Sequence, residues 1–177
     1  MLALRVTAAA ALLACTFAAA AEAKLTPAWS YVPAQLRAKL AAESGGSLFL
    51  PARTPLFYRY RSGAIVRGGA LEVTFTNRVR VHKGLWRWTK QTFAWRVSAL
   101  PSGVACVDWG GTQKTLQLAG NNVYWSAAPD GGGGTAWRCV KDRGGRMRVL
   151  AASNSGRLPD VALGIVAASG LDVSGRT

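Results

Sequence analysis

The sequence predicts a mainly β chain: a single-domain antiparallel β-sandwich or barrel-like sheet with one short N-terminal helix and one disulfide. Three observations point there. Apolar residues recur with a period of two in run after run, as half-buried strands require. Gly-rich turns separate the runs at regular spacing. Two cysteines, Cys106 and Cys139, bracket the clearest meander. No sequence repeat of solenoid length competes with this reading.

Residues 1–23 read as an export signal. Arg5 is a minimal basic start, Val6 to Ala21 is apolar and alanine-rich, and Ala21-Glu22-Ala23 is a small-x-small cleavage site. The run is too short and too weakly hydrophobic for a permanent span, so no integral span is expected once it is removed. Leu12-Leu13-Ala14-Cys15 resembles a bacterial lipoprotein cleavage box. The expectation is a periplasmic or extracellular protein, with lipid anchoring at Cys15 as the alternative. Residues 24–46 are an irregular segment and the helix, 47–170 the β-rich domain, and 171–177 a frayed tail. About 154 mature residues suffice for one core.

Lys24 to Pro33 is irregular and carries Trp29 and Tyr31. Pro33 suits the first turn of a helix through Glu43, Leu36 and Leu40 give it a thin apolar face, and Gly45-Gly46 stops it. Strand signals then follow: Leu48-Phe49-Leu50; Leu56 to Arg61; Ala64-Ile65-Val66 after a Ser62-Gly63 turn; Leu71-Val73-Phe75 alternating with Glu72, Thr74 and Thr76; and Val79-Val81 alternating with Arg78, Arg80 and His82, beyond a break at Asn77. The run Leu50-Pro51 with Pro55 and Tyr58 resembles the Leu-Pro-x-x-x-Pro opening of small exported or membrane-tethered bacterial domains; no site is carried over from it.

Lys83-Gly84 turns into the most aromatic segment. Trp86 and Trp88 lie on one phase, and Phe93, Trp95 and Val97 on the other. A regular strand cannot face both sets one way, so a bulge or turn is expected near Lys90-Gln91. After Leu100 to Gly103, Cys106 opens a strand. Leu116 and Leu118 alternate with Thr115 and Gln117, Ala119 to Asn122 reverse the chain, Val123 to Trp125 return, and Trp137 to Val140 close the meander. Met147 to Leu150 is a strand, Asn154 to Gly156 a loop, and Asp160 to Ser169 a last strand, with a helix the close alternative.

A bridge between the two cysteines would stabilise the chain by about 3–4 kcal/mol, mainly by restricting the unfolded state. Two cysteines and one distant histidine cannot supply a zinc site, so no metal or cofactor is expected. Enzyme signatures are sparse. His82 is the only histidine and sits among arginines, no Gly-x-Ser-x-Gly elbow occurs, and Gly131 to Gly134 lack the Lys-Ser/Thr of a phosphate loop. Glu72 and Asp108 are the only candidate pair for a small glycosidase-like hydrolase. Both read more simply as arginine partners.

Removing Arg5 and Glu22 leaves 21 Lys and Arg against 7 carboxylates. Such a surface attracts polyanions, although GC-rich coding bias also yields arginine. Aromatic and basic residues interleave at Tyr58-Arg59-Tyr60-Arg61, Trp86-Arg87-Trp88, Trp95-Arg96 and Trp137-Arg138. In the bland reading aromatics fill the core and arginines solvate the outside. In the functional one Trp86, Trp88 and Arg87, with Trp29 and Tyr31 second, form a binding platform. The expected function is non-enzymatic binding of an anionic or glycan envelope polymer or an envelope protein. Nucleic acid is not expected as the physiological ligand. The alternatives are the hydrolase and an inhibitor or accessory subunit using the loop Pro129 to Thr135.

Overall fold

A computed structural model describes residues 25–55, 57–129, 133–154 and 158–175. The expected signal, including Cys15, and residues 130–132 of the Gly-rich loop lie outside these residues.

The protein is mainly β. A seven-stranded antiparallel sheet runs in the order β4 (Tyr58–Val66), β5 (Ala70–His82), β6 (Leu85–Ala99), β10 (Met147–Asn154), β9 (Gly134–Lys141), β8 (Asn121–Ala127), β7 (Lys114–Leu118). Two small sheets join it: β1 (Leu25–Pro27) with β3 (Arg53–Pro55), and β2 (Phe49–Pro51) with β11 (Gly170–Asp172). The helices are α1 (Ala34–Glu43) and α2 (Asp160–Ala168).

The order is two meanders meeting at β6 and β10. The chain leaves β6 at the middle of the sheet, crosses to the far edge, and walks back inward through β7, β8 and β9. The β7–β8 turn is two residues long: Leu118 pairs with Asn121, and Ala119 and Gly120 both have positive φ, 49° and 74°. That backbone matches strand twist; it suits Gly120, while Ala119 adopts it under strain.

One face of the sheet carries the main core. Leu71, Val73 and Phe75 of β5 and Phe93, Trp95 and Val97 of β6 are buried there with Leu48, Phe49, Leu50 and the α2 side chains Leu163 and Val166. The opposite face carries a second, smaller buried cluster beneath the β6–β7 crossover, where Trp137, Val149 and Ala151 are buried against Trp109 and Cys106. Cys106 and Cys139 are bonded, so the crossover is stapled to β9.

Several elements differ from expectation. Cys106 starts a 3-10 turn, Cys106–Asp108, rather than a strand. β4 runs unbroken through Ser62-Gly63, with Arg61 as the extra residue of a bulge between Tyr60 and Ser62. Residues 160–168 of the segment expected as a last strand form a helix. Its run of small apolar residues hides any period, but burial of Leu163, Gly164, Val166 and Ala167 shows helical spacing. Pro159 sets its start, its carbonyl accepting from Ala162 and Leu163. The tail expected to fray is paired as far as Asp172, and Val173 is buried.

The Trp137-Arg138 pair refines the view that arginines merely solvate the outside. Trp137 packs under the crossover, and Arg138 projects from the other face to the C-terminal end of α2. Its guanidinium donates to Ala167 O and Asn121 Oδ1, both at 3.0 Å, and to Gly170 O. A cation there completes orphan carbonyls and opposes the helix dipole.

Three aspartates tie loops together. The Asp142 side chain is wholly buried in the β9–β10 turn. Burial opposes its ionisation, but the Arg146 N–H, the Arg148 side chain and the two guanidinium charges outweigh that and hold its pKa below the ordinary carboxylate value. Asp160 is lowered chiefly by Lys114, helped by the Val161 N–H. Asp172 is lowered despite burial by the Ser174 hydroxyl and N–H and by Arg143. In each case the folded state favours the carboxylate more than the unfolded chain does. The stabilisation is therefore present above the unfolded carboxyl range, near pH 4, and is lost as pH falls through the lowered values. We expect a melting temperature that is flat in these groups from pH 7 to 5 and drops below about pH 4, the drop being shallower in Asp142→Asn than in wild type. Thermal melts by near-ultraviolet circular dichroism across pH check this.

Candidate functional site

β5 and β6 are far longer than their neighbours. β4 accompanies β5 only to Asn77, and β10 accompanies β6 only from Phe93. Residues 78–92 are thus a two-stranded ribbon, turning at Lys83-Gly84, with no further strand on either edge among the described residues. Two-stranded ribbons have little core of their own, so their side chains stay in water unless a partner covers them.

The irregularity expected near Lys90-Gln91 is the root of the ribbon. Thr76 pairs with Thr92 and Arg78 with Trp88, which sets three β6 residues against Asn77 alone. Asn77 holds the distortion: its amide donates to Gln91 Oε1 at 2.9 Å, and its carbonyl accepts from Thr89 Oγ1 at 3.3 Å. Phe93, Trp95 and Val97 therefore enter the core, and Trp86 and Trp88 stay outside, 42% and 41% exposed.

Cross-strand partners share a face. Arg78 lies opposite Trp88 and Arg80 opposite Trp86, so these four residues form one surface. The Arg78 guanidinium sits 5.2 Å from the Trp86 ring centroid and 5.4 Å from that of Trp88. Arg61, projected by the β4 bulge, reaches Trp88 at 5.5 Å. Phe57 closes the base, its ring 5.8 Å from Trp86 and its carbonyl accepting the Arg78 N–H at 3.0 Å. Phe57 has φ 74°, a strained conformation for a bulky residue, of the kind that concentrates at functional sites. Phe57, Asn77, Arg78, Val79, Arg80 and Trp86 line an open groove there.

Arg87 is not part of this surface. It lies opposite Val79, on the other face of the ribbon. Adjacency in sequence suggested it; adjacency across the strands selects Arg78 and Arg80 instead. Symmetric pairing about the Lys83-Gly84 turn would set Val81 opposite Trp86 and Val79 opposite Trp88; the extra residue Val81 shifts the register by one and brings Arg80 and Arg78 there instead, so the sequence carried no signal for them. Trp29 and Tyr31 lie in a 3-10 turn outside the ribbon strands. Trp29 is packed on the core with Arg37 over its ring at 5.3 Å, and Arg59 covers Tyr31 at 4.4 Å. Among the described residues no ring contact links either of them to Trp86 or Trp88.

The charge is one-signed. Between Glu43 and Asp108 the only carboxylate is Glu72, against 10 Lys and Arg. Among the described residues no carboxylate pairs with Arg61, Arg78 or Arg80. Aromatic rings, not acids, hold Arg61 and Arg78, so their charge remains available.

The hydrolase candidates do not form a unit. Glu72 is mid-strand in β5, with Arg96 and Ala64 as cross-strand neighbours. Asp108 ends the crossover turn bonded to β9, in the other half of the sheet. His82 stands exposed near the ribbon tip. Among the described residues no group of three or more His, Cys, Asp or Glu is placed to hold a metal, and no helix is long and apolar enough to cross a membrane.

No family model matches the chain, and no curated protein matches it.

Proposed function

We propose that this is an exported, non-enzymatic binding module whose β5–β6 ribbon adheres to an acidic glycan of the cell envelope. The observation that carries this is the Trp86–Trp88 surface with unpaired Arg78 between its rings. Indole faces stack on pyranose rings, and guanidinium groups bind uronate or phosphate oxygens with directional hydrogen bonds. Export is supported by the signal pattern of residues 1–23 and by a disulfide compatible with an oxidising compartment.

The test is affinity for polygalacturonate, with polyaspartate as an acidic polymer lacking sugar rings. We expect salt-sensitive binding to both and tighter binding to the glycan. Trp86→Ala/Trp88→Ala should weaken glycan binding about tenfold or more, corresponding to about 1.4 kcal/mol or more. It should leave polyaspartate binding nearly unchanged. Equal loss on both polymers, or none on either, would refute a sugar-stacking surface.

A further inference from the structure

We propose that the tip of the same ribbon docks into the surface of an anionic lipid bilayer. The inference takes from the preceding section only that the ribbon is the adhesive part of the chain.

Exposed apolar side chains are concentrated there. Of the nine large apolar residues that stand exposed among the described residues, six belong to the ribbon or its base: Phe57, Val79, Val81, Leu85, Trp86 and Trp88. The remaining three, Val107, Met147 and Val161, lie on separate elements. Val81 and Leu85, flanking the turn, are the most exposed of all, at 56% and 61%. Single exposed apolar residues are ordinary, but a contiguous group on one projection marks a surface that something covers.

The two-sidedness of the group selects the partner. Arg78, Arg80, Trp86 and Trp88 occupy one face, and Val79 and Arg87 share the other. Leu85, two residues from Arg87 on the same strand, follows it to that face. A polymer laid along the indoles leaves Val79 and Leu85 in water. An interface that surrounds a projecting tip covers both faces at once. The charge agrees: residues 73–107 contain no carboxylate, and Arg78, Arg80, Lys83, Arg87 and Lys90 all lie on the ribbon. Indoles and aliphatic groups at the headgroup boundary, with cations among anionic headgroups, are the composition that such an interface retains.

Depth is bounded by the backbone. Among the described residues neither outer edge of the ribbon has a strand neighbour, so its N–H and C=O groups need water or headgroups. Unpaired edges do not enter dry hydrocarbon. The tip therefore sits at headgroup depth and does not span.

The experiment uses residues 24–177 with vesicles of phosphatidylcholine alone or mixed with phosphatidylglycerol. Co-sedimentation should occur with the mixed vesicles and be lost with phosphatidylcholine alone. Acyl chains brominated near the headgroup should quench tryptophan fluorescence in wild type and not in Trp86→Phe/Trp88→Phe. Val81→Ser/Leu85→Ser should reduce vesicle binding about tenfold while polygalacturonate binding is unchanged. These side chains are in solvent, so fold is retained, and a wild-type disulfide and circular-dichroism spectrum check that. Vesicle binding that is insensitive to Val81→Ser/Leu85→Ser and to brominated lipid would overturn the proposal, because simple charge adsorption would then account for it. Failure to bind mixed vesicles with polygalacturonate binding intact would overturn it and leave the glycan reading standing. Failure with both would overturn the two together.

Discussion

Trp95→Ala is expected to destabilise the fold by about 3–5 kcal/mol, the usual range for emptying a buried aromatic site. Trp95 is central in every sense the packing provides. It is fully buried in β6, facing Val73 of β5 and Ala152 of β10 across the ladder. Its indole N–H donates to Phe49 O at 2.9 Å, which ties the large sheet to the β2–β11 layer. The ring lies directly beneath Gly170. A Cβ at that position would stand 2.7 Å from Trp95 Cη2 and 2.6 Å from Leu150 Cδ1, so the two layers approach as closely as they do only because residue 170 is glycine. Truncation leaves both a cavity and an unpaired buried carbonyl. For a domain of this size that amounts to roughly 8–16 °C in melting temperature. Thermal and denaturant unfolding measure it, with Trp95→Phe losing distinctly less. A Trp95→Ala protein melting within two or three degrees (~1 kcal/mol) of wild type would mean that the layers are not joined here.

Loss of the Cys106–Cys139 bond is expected to lower stability by about 3–4 kcal/mol, given the 33-residue separation it closes. The bond encloses β7, β8 and most of β9, so in the reduced unfolded chain that whole meander gains freedom. The folded state is affected locally too. Trp137 is buried only because the crossover lies on it: its N–H donates to Cys106 O at 2.9 Å, and Trp109 packs edge-on at 5.7 Å between centroids. Cys106→Ser/Cys139→Ser should shift the denaturant midpoint down and weaken the near-ultraviolet tryptophan signal. Addition of reductant to wild type should reproduce both changes. A midpoint insensitive to reductant would show that the crossover is held by packing alone.

Different parts of the chain were legible for different reasons. Strands with one face in the core announce themselves, because alternation is forced wherever one side is dry and the other wet. Leu71-Val73-Phe75 and Leu116-Leu118 are read in that way. The α2 segment was not, since a run of small apolar residues fits a buried strand and a buried helix equally. Docking of Leu163 and Val166 against the sheet decided it. The tail looked polar and short enough to fray. Its order comes from Asp172, which is held locally by Ser174 and reaches Leu48 N and Arg143, contacts between residues far apart in the chain.

The ribbon divides between the two levels. The phase conflict between Trp86-Trp88 and Phe93-Trp95-Val97 was visible in the residues alone, and it required an irregularity where Asn77 and Thr89 form one. Which arginines stand beside the indoles was not visible. Residues next to one another on a strand face apart, and residues brought opposite by a turn face together, so Arg87 was the natural choice from sequence and Arg78 the actual neighbour.

Residue order by itself determined the β class, the N-terminal helix, the pairing of the two cysteines and the excess of unneutralised positive charge, because each depends on local periodicity or composition. Tertiary structure alone decided the strand order, the crossover beneath the disulfide, the helical state of residues 160–168 and the projection of the ribbon beyond its neighbours. Those depend on where distant strands end relative to one another, and no local window of the sequence carries that information.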